Sequence, residues 1–484
     1  MPHATNTAFQ TQPLSRDRIE SLIVEHRKRE LPRLRRFWRY YRNRRSEQPG
    51  RAGAWDQEEG LPARLRRGTD GRTLRELVIE NDIAWRVHTQ VDFMFGKPVA
   101  IRSLCGDPKL GARIEALLDG VLRASGGVTF LQDLALLGSV YGSIDVLVRC
   151  EPHADPGSDP ARGFLLELIE APRAIPLMSK GDYRRLDAYI VWTPAPENDQ
   201  GLTPAGRWLD RLRDKLKHPS HAPRGAIECW TPTGQQRLMT RRSDTRFNPL
   251  GCVPVVHIQN LPQPFHYAGL SDVEPLIPLQ DELNTRLSDR ANRVTMSAFK
   301  MYLAKGLDGF TERPVAPGTI WASDNPDASI TAFGGDSDTP SETAHIADIR
   351  EALDKASGVS PIAAGVLQGK VGNLTSENAV RIVLLGLLAR TEKKRITYGA
   401  GLERCCELIL HAADVHGFLP NRPEDRRVRI DWPDPFPESR VQQLDLAERK
   451  LRLGVPRSQI LTELGYADTS QPASDPELPP PVRR

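Results

Sequence analysis

The sequence predicts an α+β fold in which strands and helices follow one another irregularly and long helices occupy the C-terminal half. Strand-like runs such as YGSIDVLVRC and FLLELIEAP lie among helical segments without the regular alternation of a doubly wound sheet. From Ser271 to about Ala304, apolar residues recur at helical spacing on an otherwise polar segment. These positions are Leu279, Leu283, Leu287, Val294 and Ala298. We expect a long, polar-faced helix that one chain of this size cannot bury alone and that therefore packs on neighbouring chains.

The composition of the chain excludes several classes of protein. The 484 residues are 39% apolar and 26% charged, which suits two or three folded cores. No apolar run approaches the roughly 20 residues of a bilayer-spanning helix, and the N-terminal residues lack the pattern of a signal peptide. The six cysteines include no CxxC pair, so we expect no zinc site and no disulfide framework. We also expect no cofactor, no metal and no membrane partner.

Residues 1–62 are predicted to form a basic N-terminal arm and a linker. Ten Lys and Arg residues lie between Arg27 and Arg45, interleaved with aromatic residues. Such a composition can hold phosphates and stack on bases. The alternative is a solvated arm packed on a neighbouring subunit or a capsid protein. The candidate phosphate-binding residues are Arg33, Arg35, Arg36, Arg39, Arg42, Arg44 and Arg45.

Residues 63–270 are predicted to mix helices and strands. Apolar spacing indicates helices near 74–95, 109–122 and 130–138, the first ending at Gly96. Strands are expected within residues 97–103, 141–150, 164–172, 185–192, 226–230, 235–241 and 248–260. The proline- and charge-rich residues 194–224 are expected to form a surface excursion.

After residue 270 the expected order is helix, short strands, helix, loop and a longer helix. Ser271 and Glu274 have the spacing of a capping box, but Pro275 and Pro278 place the first helical turn at Pro278. Strands GTIWAS and ASITAF precede a helix near 341–356, and a glycine-rich loop spans residues 358–375. A helix over 376–416, about 60 Å long, comes next. A strand near 427–432, helices to 464 and a polar tail, 465–484, complete the chain.

Catalytic motifs are incomplete in this sequence. GVLQGKVG superficially matches a phosphate-binding loop, but Ala364 and Val371 replace the required glycine and the magnesium-binding Ser or Thr. Asp431 and Asp434 have no histidine partner nearby in the sequence that would complete an acid/base site. We therefore expect no enzymatic activity. A packaging ATPase or nuclease, and a non-catalytic basic nucleic-acid-binding protein, are the alternatives.

Three blocks, in order, carry a family resemblance. They are residues 81–103, NDIAWRVHTQVDFMFGKPVAIRS; residues 248–284, including NPLGCVPVVHIQN and GLSDVEPLIPLQDELN; and residues 376–394 with VRIDWPDPFPES at 428–439. This sequence of elements resembles the portal protein of tailed bacteriophages, of the siphophage type with a small crown. The family forms a ring at the capsid vertex, through which DNA is packaged and ejected.

The resemblance implies a portal fold and a domain order. It divides the chain into a wing at 63–270, stem helices at 271–298 and 339–357, a clip at 299–338, a tunnel loop at 358–375, and a long helix with a small helical crown at 376–464. It also implies a ring of usually twelve subunits and double-stranded DNA in the channel. The expected protein partners are the large terminase, the major capsid and scaffolding proteins and a head–tail adaptor. The protein would be assembled in the host bacterial cytoplasm and lie at the portal vertex of the virion.

On this resemblance, the second stem helix and the loop supply the DNA-channel candidates. They are Arg350, Lys355, Gly365, Gly369, Lys370, Gly372 and Asn373. Duplex DNA must slide through such a channel, so we expect weak, distributed phosphate contacts instead of base-reading ones.

Overall fold

The computed structural model describes most of the chain in two compact units, residues 1–432 and 433–484. The described residues are 14–46, 53–66, 76–150, 160–182, 185–194, 225–238, 243–298, 301–305, 325–333, 340–364, 381–435, 440–457, 460–461 and 464. Helices and sheets occur together without regular alternation, which confirms the α+β prediction. None of the helices in these ranges is both long and apolar enough to cross a bilayer.

Nine helices of the described ranges are numbered here in chain order. They are α1 (Arg16–Arg29), α2 (Leu31–Arg42), α3 (Asp82–Phe95), α4 (Pro108–Ala124), α5 (Val128–Tyr141), α6 (Ile277–Ala298), α7 (Pro340–Ser357), α8 (Leu385–Val415) and α9 (Arg440–Arg452). The last lies in the second unit.

The described strands form four antiparallel sheets. They are β1 (Ala100–Ser103), β2 (Ser143–Cys150), β3 (Phe164–Glu170), β4 (Ala174–Met178), β5 (Leu186–Pro194), β6 (Gly225–Trp230), β7 (Gly234–Leu238), β8 (Ser243–Phe247), β9 (Val255–Gln259), β10 (Met301–Lys305), β11 (Ser329–Phe333) and β12 (Val428–Asp431). The sheet orders are β3-β2-β9, β4-β5-β6-β7-β8, β1-β12 and β10-β11. In the last pair, Met301 faces Phe333 and Lys305 faces Ser329.

The largest hydrophobic core joins helices α2 to α8 with the three-stranded sheet. Strand β2 is buried at six consecutive positions because it is the central strand of that sheet. Helix α5 packs beside it, and Gly138 on α5 allows a close approach to α8. A Cβ atom at Gly138 would lie 2.0 Å from the Tyr398 hydroxyl oxygen, so only glycine fits there. The core therefore fixes α8 against α5 and β2.

Several element boundaries differ from the sequence prediction. The helix expected from residue 74 begins at Asp82, and residues 76–81 are extended. Strands β4, β8 and β10 were not predicted. In the described part of the helix predicted at 376–416, residues 381–383 are helical, Leu384 is a turn, and α8 continues from Leu385 for about 46 Å. The predicted strand GTIWAS, the excursion at 194–224 and the tail at 465–484 lie outside the described residues.

The N-terminal helices are part of the main unit. Leu34, Phe37 and Tyr40 on α2 are buried in the largest core. Ile19 and Ile23 on α1 are buried against strands of the five-stranded sheet. The expectation of a solvated arm is wrong for these helices, because each has an apolar side that the same chain covers.

Candidate functional site in the helix pair α6 and α7

Helix α6 starts with a capped turn. The Ser271 hydroxyl oxygen accepts the backbone N–H groups of Val273 and Glu274, at 3.0 and 3.3 Å. A 3-10 turn, Glu274–Leu276, follows, and α6 continues from Ile277. The predicted capping residue therefore caps this short turn, and the α-helix begins one residue before the predicted Pro278.

An extended segment, residues 76–82, lies along one side of α6 and is hydrogen-bonded to it. Four side chains of α6 accept backbone N–H groups from this segment. The bonds are Glu76 to Asn292 at 2.8 Å, Val78 to Ser288 at 3.0 Å, Glu80 to Asn284 at 3.0 Å and Asp82 to Gln280 at 3.1 Å. Asn292, Ser288 and Gln280 also donate to the carbonyls of Glu76, Val78 and Glu80. We call this arrangement the polar ladder.

The spacing of the polar ladder follows from backbone geometry. Four helical residues rise about 6.0 Å and two extended residues about 6.6 Å. Successive hydrogen bonds of the polar ladder, which we call its rungs, therefore recur at nearly the same spacing on both elements. Gln280, Asn284 and Ser288 are 0% exposed. The expectation that one chain cannot bury the polar residues of this helix is therefore wrong for Gln280, Asn284 and Ser288, because the extended segment covers them.

Helices α6 and α7 pack against each other through apolar and charged contacts. Leu283 on α6 and Ile346, Ile349 and Leu353 on α7 are buried in the same core. Arg293 on α6 is paired with Glu342 on α7. His345 Nε2 lies 3.4 Å from the Glu282 carboxylate. The two helices therefore form a fixed pair.

Most charges on this helix pair have a partner within the chain. Arg350 Nη2 lies 2.7 Å from the Glu80 carboxylate, and Lys355 Nζ lies 2.6 Å from the Glu351 carboxylate. The hydrogen bond with Glu351 raises the pKa of Lys355.

Asp354, also on α7, binds the buried Arg86. Burial raises the pKa of Asp354, although Arg86 opposes this. Along the described parts of α6 and α7, Arg290 and Asp348 are exposed charges without an ion-pair partner.

Only the start of the predicted loop, residues 358–364, lies within the described residues. Gly358, with a φ of +68°, ends α7, and a 3-10 turn, Pro361–Ala364, follows. Gly365, Gly369, Lys370, Gly372 and Asn373 lie outside the described residues.

The predicted basic residues of the N-terminal segment are largely engaged within the chain. Arg33 forms two hydrogen bonds with Glu274, at 2.8 and 2.6 Å. Arg36 lies 3.8 Å from Asp281, Arg39 2.6 Å from Glu59 and Arg42 3.5 Å from Asp56. Arg45 lies over the Trp55 ring, Arg44 donates its backbone N–H to Asp56, and Arg35 is exposed. The contacts of Arg33 and Arg36 hold α2 against the start of α6, and those of Arg39 and Arg42 hold it against residues 56–59.

A buried ion cluster lies just before α6 and was not predicted. Asp272 and Lys394 are both 1% exposed, with Nζ 2.6 Å from Oδ2. Lys394 also donates to Gln90 Oε1 and Ser139 Oγ, at 2.7 and 3.0 Å, so its three N–H groups are used. Arg390 binds the other Asp272 oxygen at 2.6 Å.

Burial and the neighbouring charges shift the pKa values of the groups in the ion cluster. Burial would raise the pKa of Asp272, but Lys394 and Arg390 outweigh it and lower that pKa below its usual value. Burial lowers the pKa of Lys394 in spite of Asp272. The available sequence signal was a lysine in phase with the apolar stripe of α8, seven residues after Leu387 and four before Tyr398.

Within the described ranges, no group of three or more His, Cys, Asp or Glu side chains is arranged to hold a metal ion. Asp431, considered for acid/base chemistry, is bonded to Arg429 at 2.9 Å on an exposed strand end. This geometry is that of a surface ion pair.

Comparison with known proteins gives a family match over most of the chain. The sequence profile of the family described as phage portal protein, SPP1 Gp6-like, matches residues 20–465. No curated protein is significantly similar in sequence.

Similar solved structures come from gene transfer agent (GTA) particles. One chain of the virion of the native particle is 13% identical, with 80% of this chain and 90% of that chain covered and a TM-score of 0.40. A chain of the neck of the empty particle, computed with C6 symmetry, is 15% identical with the same coverage and a TM-score of 0.43. A chain of the neck of the native particle, computed with C12 symmetry, is 15% identical with the same coverage and a TM-score of 0.39.

Proposed function

Because the chain belongs to the SPP1 Gp6-like family of phage portal proteins, we propose that it forms a ring, usually of twelve copies, at one vertex of a phage-like capsid. Double-stranded DNA enters and leaves the particle through the hole of this ring. Residues 63–270 serve as the wing, 271–298 and 339–357 as the stem, 299–338 as the clip and 376–464 as the long helix and small crown.

The pairing of charges on α6 and α7 is the observation that supports this function best. A surface that lines a DNA channel must touch phosphates without holding them, because strong contacts would stop translocation. Arg350 and Lys355 are each neutralised by a carboxylate of the same chain. Ion pairs between exposed side chains are weak in water, so a passing phosphate can exchange with the carboxylate at little cost. These two residues are the proposed weak DNA contacts of the stem.

The loop at 358–375 is proposed as the narrowest part of the channel, since it joins the second stem helix to the long helix. Its candidate residues are Gly365, Gly369, Lys370, Gly372 and Asn373. The glycines allow backbone movement, and Lys370 offers a charge on a flexible side chain.

The partners and location follow from the portal role. We propose contacts with the large terminase, the major capsid and scaffolding proteins and a head–tail adaptor, with assembly in the host bacterial cytoplasm. We also propose that the protein is not an enzyme. Phosphate release from ATP that disappears in Lys370→Ala would overturn this last proposal.

The engaged arginines of α2 argue against a separate nucleic-acid-binding function. Arg33, Arg36 and Arg39 pair with carboxylates of the main unit, as Arg350 and Lys355 do, so each would offer phosphate a weak contact and not the strong binding of a dedicated nucleic-acid-binding arm. Of the seven candidate arginines, Arg35, Arg44 and Arg45 are exposed and have no carboxylate partner among the described residues, but three cations are a small part of the electrostatic surface that DNA binding needs.

Ring formation is the direct test. The purified chain should form a closed oligomer with a central hole in the absence of DNA, measured by multi-angle light scattering and negative-stain electron microscopy. The measurements should be repeated at several salt concentrations. A stable monomer at micromolar concentration across all salts would contradict the portal function.

A further inference from the structure

His257 has a hydrogen-bond acceptor at each of its ring nitrogens. It lies on β9 and faces Asp145 on β2 in the antiparallel register, with Nδ1 2.6 Å from the Asp145 carboxylate. Its Nε2 lies 2.5 Å from the backbone carbonyl oxygen of Tyr267. A neutral imidazole has one N–H group and one lone pair, so it can donate to only one of these oxygens. Both contacts are hydrogen bonds only when both ring nitrogens carry a proton.

His411 on α8 has different surroundings. Its Nε2 lies 3.0 Å from the Leu250 carbonyl oxygen, and its Nδ1 lies 2.9 Å from Nη1 of Arg426. One nitrogen thus faces an acceptor and the other faces a donor, and a neutral imidazole satisfies both. The need for a second proton therefore comes from the particular surroundings of His257.

Two tyrosine hydroxyl groups complete the surroundings of the Asp145 carboxylate, which is 3% exposed. Tyr267 donates to Oδ1 at 3.0 Å, the oxygen that also faces His257. Tyr189 on β5 donates to Oδ2 at 2.5 Å. These donors stabilise the ionised carboxylate. With His257 doubly protonated, the buried negative charge is paired with a positive one, and both carboxylate oxygens and both ring nitrogens have partners.

His257 is the group of this cluster that changes charge near neutral pH. Burial and the nearby Asp145 raise the pKa of Tyr189 and of Tyr267 well above the usual value, so both hydroxyl groups keep their protons. Arg173, whose charge acts on Tyr189, stays protonated as well. Unperturbed carboxyl groups titrate at about pH 4 and unperturbed imidazoles at about pH 6.5. A change from about pH 6 to about pH 8.5 therefore acts on the histidine of this cluster.

The Tyr267 carbonyl belongs to a surface loop, residues 260–270. Gln259 Nε2 donates to the same carbonyl oxygen at 3.1 Å. Phe265, at the tip of the loop, is 82% exposed and has a φ of +64°, a left-handed conformation that is strained for a residue other than glycine. Such a conformation persists only where the surrounding structure fixes it. The bonds from His257 and Gln259 fix the chain two residues after this strained position.

The base of the loop is closed without His257. The Leu270 N–H group donates to the Leu261 carbonyl oxygen at 3.0 Å. A Cβ atom at Gly269 would lie 2.5 Å from the Gly142 carbonyl oxygen, so the two backbone segments are in close contact there. Loss of the bond from His257 therefore frees the tip of the loop and leaves its base in place.

We propose that His257 is a pH-sensitive switch for the loop at 260–270. The doubly protonated ring holds the tip in its strained form. As pH rises, the proton leaves Nε2, because the N–H group on Nδ1 is retained by the charged carboxylate of Asp145. A lone pair then faces the Tyr267 carbonyl oxygen, and the repulsion between the two acceptors opens this contact. The conformation in which Phe265 is presented at the surface thus depends on pH.

Limited proteolysis tests the proposal on the purified chain. Chymotrypsin cleaves after an exposed Phe when the loop can become extended in its active site, so cleavage after Phe265 measures release of the tip. The product is identified by peptide mass spectrometry at about pH 6 and about pH 8.5. Each rate is divided by that of a short peptide substrate at the same pH. The normalised rate should be roughly fivefold or more higher at the upper pH, as expected from loss of one hydrogen bond.

Two substitutions of the same kind identify the titrating group. His257→Gln has a single donor group and cannot bond both acceptors, so its cleavage should be fast and nearly equal at the two pH values. His266→Gln removes the other histidine of the loop and should keep the pH dependence of the wild type. An equal normalised rate for the wild type at both pH values, or a pH dependence that persists in His257→Gln, would overturn the proposal. If His257→Gln does not fold, the comparison of the wild type at the two pH values decides by itself.

Discussion

Asn284 and Lys394 show how much of this fold depends on single buried polar residues. Asn284 is 0% exposed and bonds both the extended segment and Gln57. Lys394 is 1% exposed and bonds three acceptors from three different parts of the chain. A buried polar group that is fully hydrogen-bonded costs little, but removing it leaves its partners unsatisfied. The structure is therefore most sensitive at these positions.

Replacing Asn284 by Ala should lower the free energy of unfolding by about 1–3 kcal/mol, because the Glu80 N–H and Gln57 Oε1 lose a partner in a buried site. Urea unfolding followed by tryptophan fluorescence measures the change. Arg290→Ala, on an exposed turn of the same helix, is the matched control and should have an effect within about 0.5 kcal/mol. Equal effects of the two substitutions would show that the polar ladder does not stabilise the fold.

Replacing Lys394 by Met should cost about 3–5 kcal/mol at neutral pH, because Asp272 then remains buried with only Arg390 opposite it. Lys355→Met, which removes an exposed lysine, is the control. The pKa of Asp272 is lowered in the folded state, so the stabilisation from its ionised form is present above the unfolded pKa and is lost as pH falls through the folded value.

The deficit of Lys394→Met should therefore be largest near neutral pH and shrink on acidification through the carboxyl range. Unfolding measured in urea from pH 7 downwards gives the comparison. A deficit that stays constant over this range would mean that packing, and not the ion pair, accounts for the loss.

Among the elements, those with a continuous apolar stripe were predicted well. The helix expected at 109–122 is Pro108–Ala124, and the one expected at 341–356 is Pro340–Ser357. In these helices the side that the apolar residues form is also the side that the fold buries, so the spacing of apolar residues is sufficient to predict the helix bounds. The channel candidates Arg350 and Lys355 were likewise placed on the right helix, because their position depends only on that periodicity.

Elements whose backbone is bound by distant residues were predicted poorly. Residues 76–81 have a helix-compatible composition, yet they are extended because their N–H and C=O groups bind α6. The Val78–Ser288 bond, for example, joins residues 210 positions apart. The ion cluster was missed for a related reason, since a lysine in an apolar stripe does not reveal which carboxylate the fold brings to it. No property of the local sequence specifies such a partner.

Deleting Gly365–Gly372 should leave ring assembly intact, because the helices that we expect to pack on neighbouring chains lie outside this loop. DNA packaging or retention in assembled heads should fail, because the proposed constriction is lost. Head yield and the length of packaged DNA are the measurements. A variant that carries a flexible linker of the same length in place of these residues separates loop length from loop chemistry. Heads that package and retain full-length DNA with the deleted form would exclude a channel role.

For the whole molecule, the pairing of β1 with β12 brings early and late parts of the chain together. Ala100 faces Asp431, and Ser103 faces Val428. Trp432, directly after β12, packs on Phe95 at a centroid distance of 5.2 Å and beneath Arg395. The first unit is thus closed by its own last strand. The order of elements along the sequence was sufficient to identify the family. The pairing of β1 with β12 could not be predicted, because the sequence of a short strand does not specify which strand it pairs with.

The polar ladder also has a mechanical consequence. Its rungs join the extended segment to α6 at Glu76, Val78, Glu80 and Asp82, and they lie side by side along the helix. A force along the axis of α6, such as that from a polymer moving past it, loads all the hydrogen bonds of the polar ladder in shear at the same time. A force that pulls the segment away from the helix strains them one after another, beginning at an end. The arrangement is therefore stiff in the direction of axial drag and weak in the direction of peeling.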